Sequence, residues 1–331
     1  MYYDNAHVRV NLSGLAQKIV SQDMVIFGSD SKWKTNGFIN LLINRFLTNN
    51  QEFAFFKLDC SLKEKGLSLM IRPSEENRKA LKSLFEASSY GHEIPEWYSP
   101  FRSDLTPSSL FKTIIETYAR LPMIEREFVV LKDTFDFINK GLREKRSIRI
   151  SISGTTSKKL DIVPYKVVPA KDGPYSYLIG LQLPDEGQKK YVIKALRISR
   201  IICESYLSHK DLPKETVLRD VDASLAEFGP TFLEEKPIDI KVCFLNDEGI
   251  AKYQYSIIHR PIHTKIENDS EGRPRIYTFH CSEKQAIYFF FRLVGYVQIV
   301  APEELKNKFV KMYRAGYEAM LYGNPSEEES Y

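Results

Sequence analysis

Residues 146–202 read RSIRISISGTTSKKLDIVPYKVVPAKDGPYSYLIGLQLPDEGQKKYVIKALRISRII, and the remainder of the chain reads as apparatus around them. Short β-branched and aromatic runs alternate with turn clusters at Ser153-Gly154, Lys171-Asp172-Gly173-Pro174 and Pro184-Asp185-Glu186-Gly187. The runs suit a pleated, half-buried surface, and the clusters supply the residues that turns require. Strands are predicted over 147–153, 160–168, 175–182 and 191–197, as in a small meander or barrel. Charge collects here too. Between Lys140 and Ile202 there are 14 Lys+Arg against 5 Asp+Glu, a local +9 in a chain whose net charge is +4. A basic β-domain in a chain whose remainder is net acidic is the footprint of a polyanionic partner.

The strand beginning Tyr175-Ser176-Tyr177-Leu178 follows a proline-bearing strand, Val163-Pro164-Tyr165, and precedes Leu196-Arg197-Ile198-Ser199-Arg200-Ile201. In this order the segment resembles the WYL domain, an Sm-like β-barrel of bacterial regulators and defence-associated proteins. Tyr177-Leu178 stand as the family's Tyr-Leu, Ser176 occupies the place of its Trp, and Tyr165 stands where many members carry His. The resemblance implies ligand-facing positions at Lys194, Arg197 and Arg200, with Ser153 and Tyr165 beside them. Lys158, Lys159 and Lys166 extend the basic set, and Tyr165, Tyr175 and Tyr177 interleave aromatic faces with it. Cations that track phosphates and rings that stack on bases are the physics of single-strand recognition. A mouth of this kind would equally suit a small nucleotide. The plainer alternative is that the lysines keep strand edges solvated.

At 331 residues the chain has room for two to four compact units, and 43% hydrophobic with 27% charged residues is ordinary for a soluble globular protein. No apolar run is long enough to span a membrane, and MYYDNAHVRV lacks the basic and apolar regions of a secretory signal. A cytoplasmic protein is expected. Cys60, Cys203, Cys243 and Cys281 are far apart and form no CxxC, so reduced thiols and no metal site are expected.

At the N-terminus, His7-Val8-Arg9-Val10-Asn11-Leu12 alternates strictly, with Val8, Val10 and Leu12 on one face. Ser13 is placed to cap a helix over 14–27 carrying Leu15, Ile19, Val20 and Ile26, and a second helix over 36–47 turns Phe38, Leu41, Leu42 and Leu47 inward. One strand and two helices cannot close a core, so two chains are expected to pair their strands in a homodimer. Residues 1–50 thus resemble the ribbon-helix-helix fold. That resemblance implies a base-facing triplet of His7, Arg9 and Asn11, with Lys32, Lys34 and Thr35 meeting phosphate.

Residues 51–130 read as a helical connector, with helices over 75–90, 108–120 and 125–144, the last feeding the first barrel strand. The barrel domain spans 131–208, and 208–237 reads as a polar linker. Residues 237–322 read as an α/β unit, with strands over 238–245, 253–259, 275–281 and 296–300, a helix from Glu283 and a last helix to Tyr322. Its Gly295-Tyr-Val-Gln-Ile-Val-Ala-Pro-Glu-Glu-Leu305 is similar to the ending of the extension that accompanies many WYL domains. The fold class is therefore α+β: ribbon-helix-helix, connector, Sm-like barrel and C-terminal α/β extension.

Catalysis finds no support, since there is no nucleophile elbow, P-loop or helical His pair. In His259-Arg-Pro-Ile-His263 the proline breaks the helix such a pair needs. No cofactor is implied. The domain order resembles the WYL accessory proteins of type VI-D CRISPR systems. This implies a non-enzymatic, single-stranded-RNA-binding protein that enhances an RNA-guided RNA nuclease. The alternative is a transcription regulator whose head grips operator DNA and whose barrel senses a nucleotide.

Overall fold

Strand β1 (Val8–Leu12) keeps the alternation its sequence predicts: Val10 and Leu12 are buried while His7, Arg9 and Asn11 are exposed. Its partner, however, lies in the same chain. Strand β2 (Leu67–Ile71) pairs antiparallel with it, Val8 opposite Ile71 and Leu12 opposite Leu67. Leu67-Ser-Leu-Met-Ile71 thus supplies an in-chain partner from beyond helices α1 (Gly14–Phe27) and α2 (Thr35–Asn49), a strand the sequence reading did not anticipate. The structure, a computed structural model, describes residues 7–28, 34–49, 66–89, 106–154, 159–170, 173, 175–182, 191–207 and 215–323. Lys32, Cys60, Lys158, the Phe53–Phe56 run and Trp97-Tyr98 fall outside them.

Ser13 caps α1 as predicted, its Oγ accepting from the Ala16 amide. The buried stripe differs from the predicted one. Ala16, Val20, Asp23 and Phe27 face inward and Leu15 is largely exposed. The true stripe runs through a charged residue, which a search for apolar spacing passes over. Phe38, Ile39, Leu42, Ile43 and Phe46 of α2 complete the core with Leu110, Phe111, Ile114 and Tyr118 of α4 (Pro107–Arg120). Helix α3 (Glu75–Ser89) begins at Ser74, whose Oγ accepts from the Asn77 amide. The long helix expected over 125–144 is two, α5 (Met123–Val130) and α6 (Lys132–Arg143), separated at Leu131 with φ −101° and ψ 19°.

Charged groups lock these helices together. Asp23, wholly buried, accepts from Tyr118 Oη at 2.6 Å and Arg126 Nε at 2.7 Å. Glu116, also wholly buried, accepts from Ser13 N at 2.5 Å and Oγ at 2.8 Å and from Arg120 Nη1 at 2.8 Å. Burial alone would raise the Glu116 pKa. The Ser13 and Arg120 donors outweigh it and hold the carboxyl below its ordinary value. Arg45 clasps Asp133 through both guanidinium nitrogens, at 2.9 and 2.6 Å.

The basic segment forms β3 (Ile148–Ile152), β4 (Lys159–Pro169), β5 (Ser176–Gln182), β6 (Val192–Arg197) and, after a 3₁₀ turn at 198–200, β7 (Ile201–Tyr206). Predicted and observed limits agree within about two residues, and β7 is an added strand. The sheet order is β6-β5-β4-β3-β7, so the meander turns back and lays its last strand beside its first; no closed barrel is found among the described residues. Strand β4 bends where its register with β5 slips between Pro164 and Lys166, leaving Tyr165 as the bulge. Pro164 has no amide proton for the ladder, and Gly180 lies opposite it. A Cβ on Gly180 would collide with Ile162 Cγ2 and come within 3.0 Å of the Val163 carbonyl.

The described residues form two compact units. The second takes in 215–323 with 170, 173 and 191–195. The expected linker contains a helix, α7 (Glu215–Phe232), kinked at Gly229, which sits at φ 69° and ψ 172° before Pro230. There follow β8 (Pro237–Phe244), α8 (Asp247–Tyr255), β9 (His263–Asn268), β10 (Pro274–Ser282), α9 (Glu283–Phe290), β11 (Val297–Ala301) and α10 (Glu303–Tyr322). The strand predicted over 253–259 is instead the end of α8 and a turn, and β9 takes its place in the sheet. All pairings are antiparallel in the order β11-β8-β10-β9, which is the β-α-β-β-α-β, split βαβ pattern. Its core is aromatic: Phe244, Tyr253, Phe279, Phe289 and Phe290 pack behind the sheet.

Two outcomes check these packing arguments. Gly180→Ala should lose about 1–3 kcal/mol, the usual cost of overpacking, seen as a lower thermal midpoint by circular dichroism. A carboxyl held below its ordinary pKa stabilises the fold fully above its unfolded value of about 4.3, and the contribution vanishes as pH falls through the lower, folded value. Glu116→Gln should therefore be less stable than wild type at pH 7 in urea titrations. The gap should narrow as the buffer is taken below pH ~4.

Candidate nucleic-acid interface

The first unit concentrates its cation–aromatic chemistry at the end of β6. Arg197, the last residue of that strand, lays its guanidinium 3.2 Å from the centre of the Tyr175 ring, just before β5. Stacking uses the guanidinium's flat face and leaves its edge for in-plane hydrogen bonds. Arg197 Nε is buried and bonds to no protein group. In the 3₁₀ turn that follows, Arg200 Nη2 donates to the Ser153 carbonyl at 3.1 Å, and the Ser153 amide donates to the Arg200 carbonyl at 2.9 Å. The turn thereby places Arg200 three residues from Arg197 and ties it to Ser153 at the end of β3.

Beneath Arg197 sits a group that the sequence reading missed. Glu127 of α5 is wholly buried and accepts from the Ser176 amide through both oxygens, at 3.0 and 2.8 Å. Burial raises its pKa, and the Ser176 donors and the field of Arg197 only partly oppose that rise. Glu127 was legible only as one acid on a helical stripe; its contact lies 49 residues away in sequence. Ser176 is 4% exposed and is the residue that Glu127 holds.

The remaining predicted residues separate into local partnerships. Lys159 pairs with Glu204 at 3.1 Å and Lys194 with Glu234 at 2.8 Å, Lys194 and Glu234 both belonging to the second unit. Lys166 lies 5.1 Å over the Tyr165 ring at the bulge. Tyr177 is buried within β5, so its ring serves packing. At the head, Arg9, Asn11, His7, Lys34 and Thr35 are all exposed, and the Arg9 carbonyl accepts from Ser108 Oγ. The predicted cation set is thus split: Arg197 and Arg200 share one corner, and Lys159 and Lys194 are neutralised by carboxylates.

Other chemistry is sparse. Among the described residues no cluster of three His, Cys, Asp or Glu suits a metal ion. Burial pushes the Cys281 thiol up to about 12 and raises those of Cys203 and Cys243, so these thiols stay protonated. Arg275 and His280 have the Arg-x-x-x-x-His spacing of HEPN-type nucleases, which the sequence reading passed over. They lie on strand β10, where five residues put them on opposite faces, and Arg275 is engaged with Asp247 while His280 meets Asp239. No helix among the described residues is long and apolar enough to cross a membrane.

A solved structure of a CRISPR Cas-related protein matches over 95% of this chain and 94% of its own, with TM-score 0.63 and 18% identity. At that identity the likeness is one of fold. The proteasome accessory factor B/C of Arthrobacter aurescens aligns with 56% of this chain and 27% of its own at TM-score 0.26 and 17% identity, too partially to define a shared fold. No protein-family model and no curated protein matches the sequence.

The Glu127 geometry carries its own expected outcome. A carboxyl whose folded pKa is raised costs stability as pH climbs from its unfolded value of about 4.3 through the folded one. Glu127→Gln should gain on wild type across that window in urea titrations. A gap that stays constant with pH would mean that Glu127 ionises as readily as in the unfolded chain.

Proposed function

We propose that this chain is a non-enzymatic, single-stranded-RNA-binding accessory protein of a CRISPR system that enhances an RNA-guided RNA nuclease. The observation that carries the reading is the corner formed by Arg197, Tyr175, Arg200 and Ser153, where a stacked guanidinium keeps a buried Nε without a protein acceptor. The part of the guanidinium that remains accessible would donate to a phosphate oxygen, and Tyr175 and Tyr165 offer rings to bases. The order of helix, four-strand meander, 3₁₀ turn and returning strand supports reading the sheet as an Sm-like WYL domain. The fold likeness to a CRISPR Cas-related protein supports the CRISPR setting. Binding RNA near the nuclease would raise the local concentration of its target without any chemistry of its own.

An operator-binding regulator is the competing reading, and it needs His7, Arg9 and Asn11 to enter a groove from a strand already paired in-chain. A titration separates the two. Fluorescence polarisation with single-stranded RNA and with duplex DNA, at two salt concentrations, should show RNA bound more tightly and weakening with salt. Arg197→Ala/Arg200→Ala should cost at least about tenfold in RNA affinity, with folding checked by circular dichroism. Lys194→Ala should cost less, since Glu234 already neutralises it. Duplex DNA bound as tightly as RNA, and indifferent to the double variant, would remove the RNA reading. Enhancement is tested by target-RNA cleavage with and without the protein.

A further inference from the structure

A cleft of ≈ 300 Å³ lies within the second unit, at the kink of α7. That volume is at the lower end for small-molecule sites. Its walls come from the kink of α7, including Glu227, Phe228 and Phe232, the turn after α8 with His259 and Arg260, Thr264 and His280 of the sheet, and Gln285 at the start of α9. Gly229 makes the kink possible, because its φ of 69° is one that residues with a Cβ rarely adopt. His259 holds φ 56° without that freedom, in a left-handed conformation tolerated by few residue types. The walls are aromatic and well braced. The His259 ring stands edge-on to Phe232 at 5.2 Å and to Tyr288 at 5.6 Å, and Phe228 packs against His280 at 6.3 Å.

Gln285, which lines this cleft, carries one buried polar atom that the protein leaves unmatched. Gln285 is 6% exposed. Its Nε2 donates to the His259 carbonyl at 3.4 Å, while Oε1 is buried and accepts from nothing in the protein. The amide cannot be turned over to remedy this, since Oε1 would then face the His259 carbonyl, an acceptor against an acceptor. A donor at that fixed point, in a cleft lined by Phe228, Phe232, His259 and His280, would complete the amide's pairing. Arg260, which donates to the Gln254 carbonyl at 2.7 Å, adds a cation at the lining.

We propose that the second unit carries its own binding site for a nucleobase, held between the aromatic walls with a base N–H donated to Gln285 Oε1. Rings select a planar heterocycle, the unpaired acceptor selects one with an N–H on its edge, and Arg260 suits the attached phosphate. A free mononucleotide and an unstacked base of an RNA strand present the same chemistry. The site is independent of the Arg197 corner and does not rest on the function proposed for it.

Isothermal titration of the full chain with adenosine monophosphate should show binding. Purine riboside monophosphate, identical except that its base has no N–H, should bind at least about tenfold more weakly, the worth of one well-placed hydrogen bond. Gln285→Leu should show the same loss for adenosine monophosphate and no further loss for the purine riboside. The ligand comparison stands even where a variant misfolds. Competition by an oligoadenylate would identify RNA as the source of the base, and its failure to compete would identify the free nucleotide. Absence of nucleotide binding, equal affinity for the two ligands, or loss in Arg197→Ala with retention in Gln285→Leu would each overturn the proposal.

Discussion

Three carboxylates that never meet water set the assembly of the first unit: Asp23, Glu116 and Glu127. An ionised carboxylate is costly to bury, and it is tolerated only where donors surround it. Each finds its donors far along the chain. Asp23 of α1 is met by Tyr118 and Arg126, Glu116 by the Ser13 cap, and Glu127 by the first residue of β5. Apolar faces can slide past one another at small cost, but a buried charge has one acceptable position. These contacts therefore favour one register for α1 against α4, and for α5 against the sheet. The same economy explains why Arg197 is where it is, since the field of Glu127 reaches it from below while Tyr175 shields its face.

How much of this was legible in the sequence follows from the range of the interactions. Local signals read well. Ser13 caps the helix it was expected to cap, and the strands of the basic segment fall within about two residues of their predicted limits. Turn clusters and β-branched runs act over a few residues, so one sequence contains them. Partners across the fold did not read. Strand β2 lies more than fifty residues from β1, and its half-exposed Leu67–Ile71 carries only a weak alternation. Helix α7 was read as a linker with only short helical potential, because Asp, Glu and Pro crowd the stretch and its Gly229-Pro230 pair is a breaker by composition.

The candidate site was half visible for a similar reason. The resemblance implied Arg197, Arg200 and Ser153, the interleaved tyrosines were read from the residues, and the structure brings Arg197 to Tyr175 and Arg200 to Ser153. Counting charges overstated the basic surface, because sequence distance hides neutralisation. Lys159 and Lys194 face Glu204 and Glu234, which lie outside that segment, so the local excess of nine falls by two, while Asp161 opposite Arg149 is already in the count. Positive charge of that kind attracts any polyanion. Discrimination then falls to the rings and to the stacked arginine.

The in-chain pairing of β1 with β2 has a thermodynamic consequence. A strand that must borrow its partner from another molecule makes folding bimolecular, and such a domain loses structure on dilution. Here both strands and the helices that cover them come from one chain, so this small sheet forms by loop closure. The β1–β2 pairing itself therefore carries no concentration term, whatever further association the chain makes.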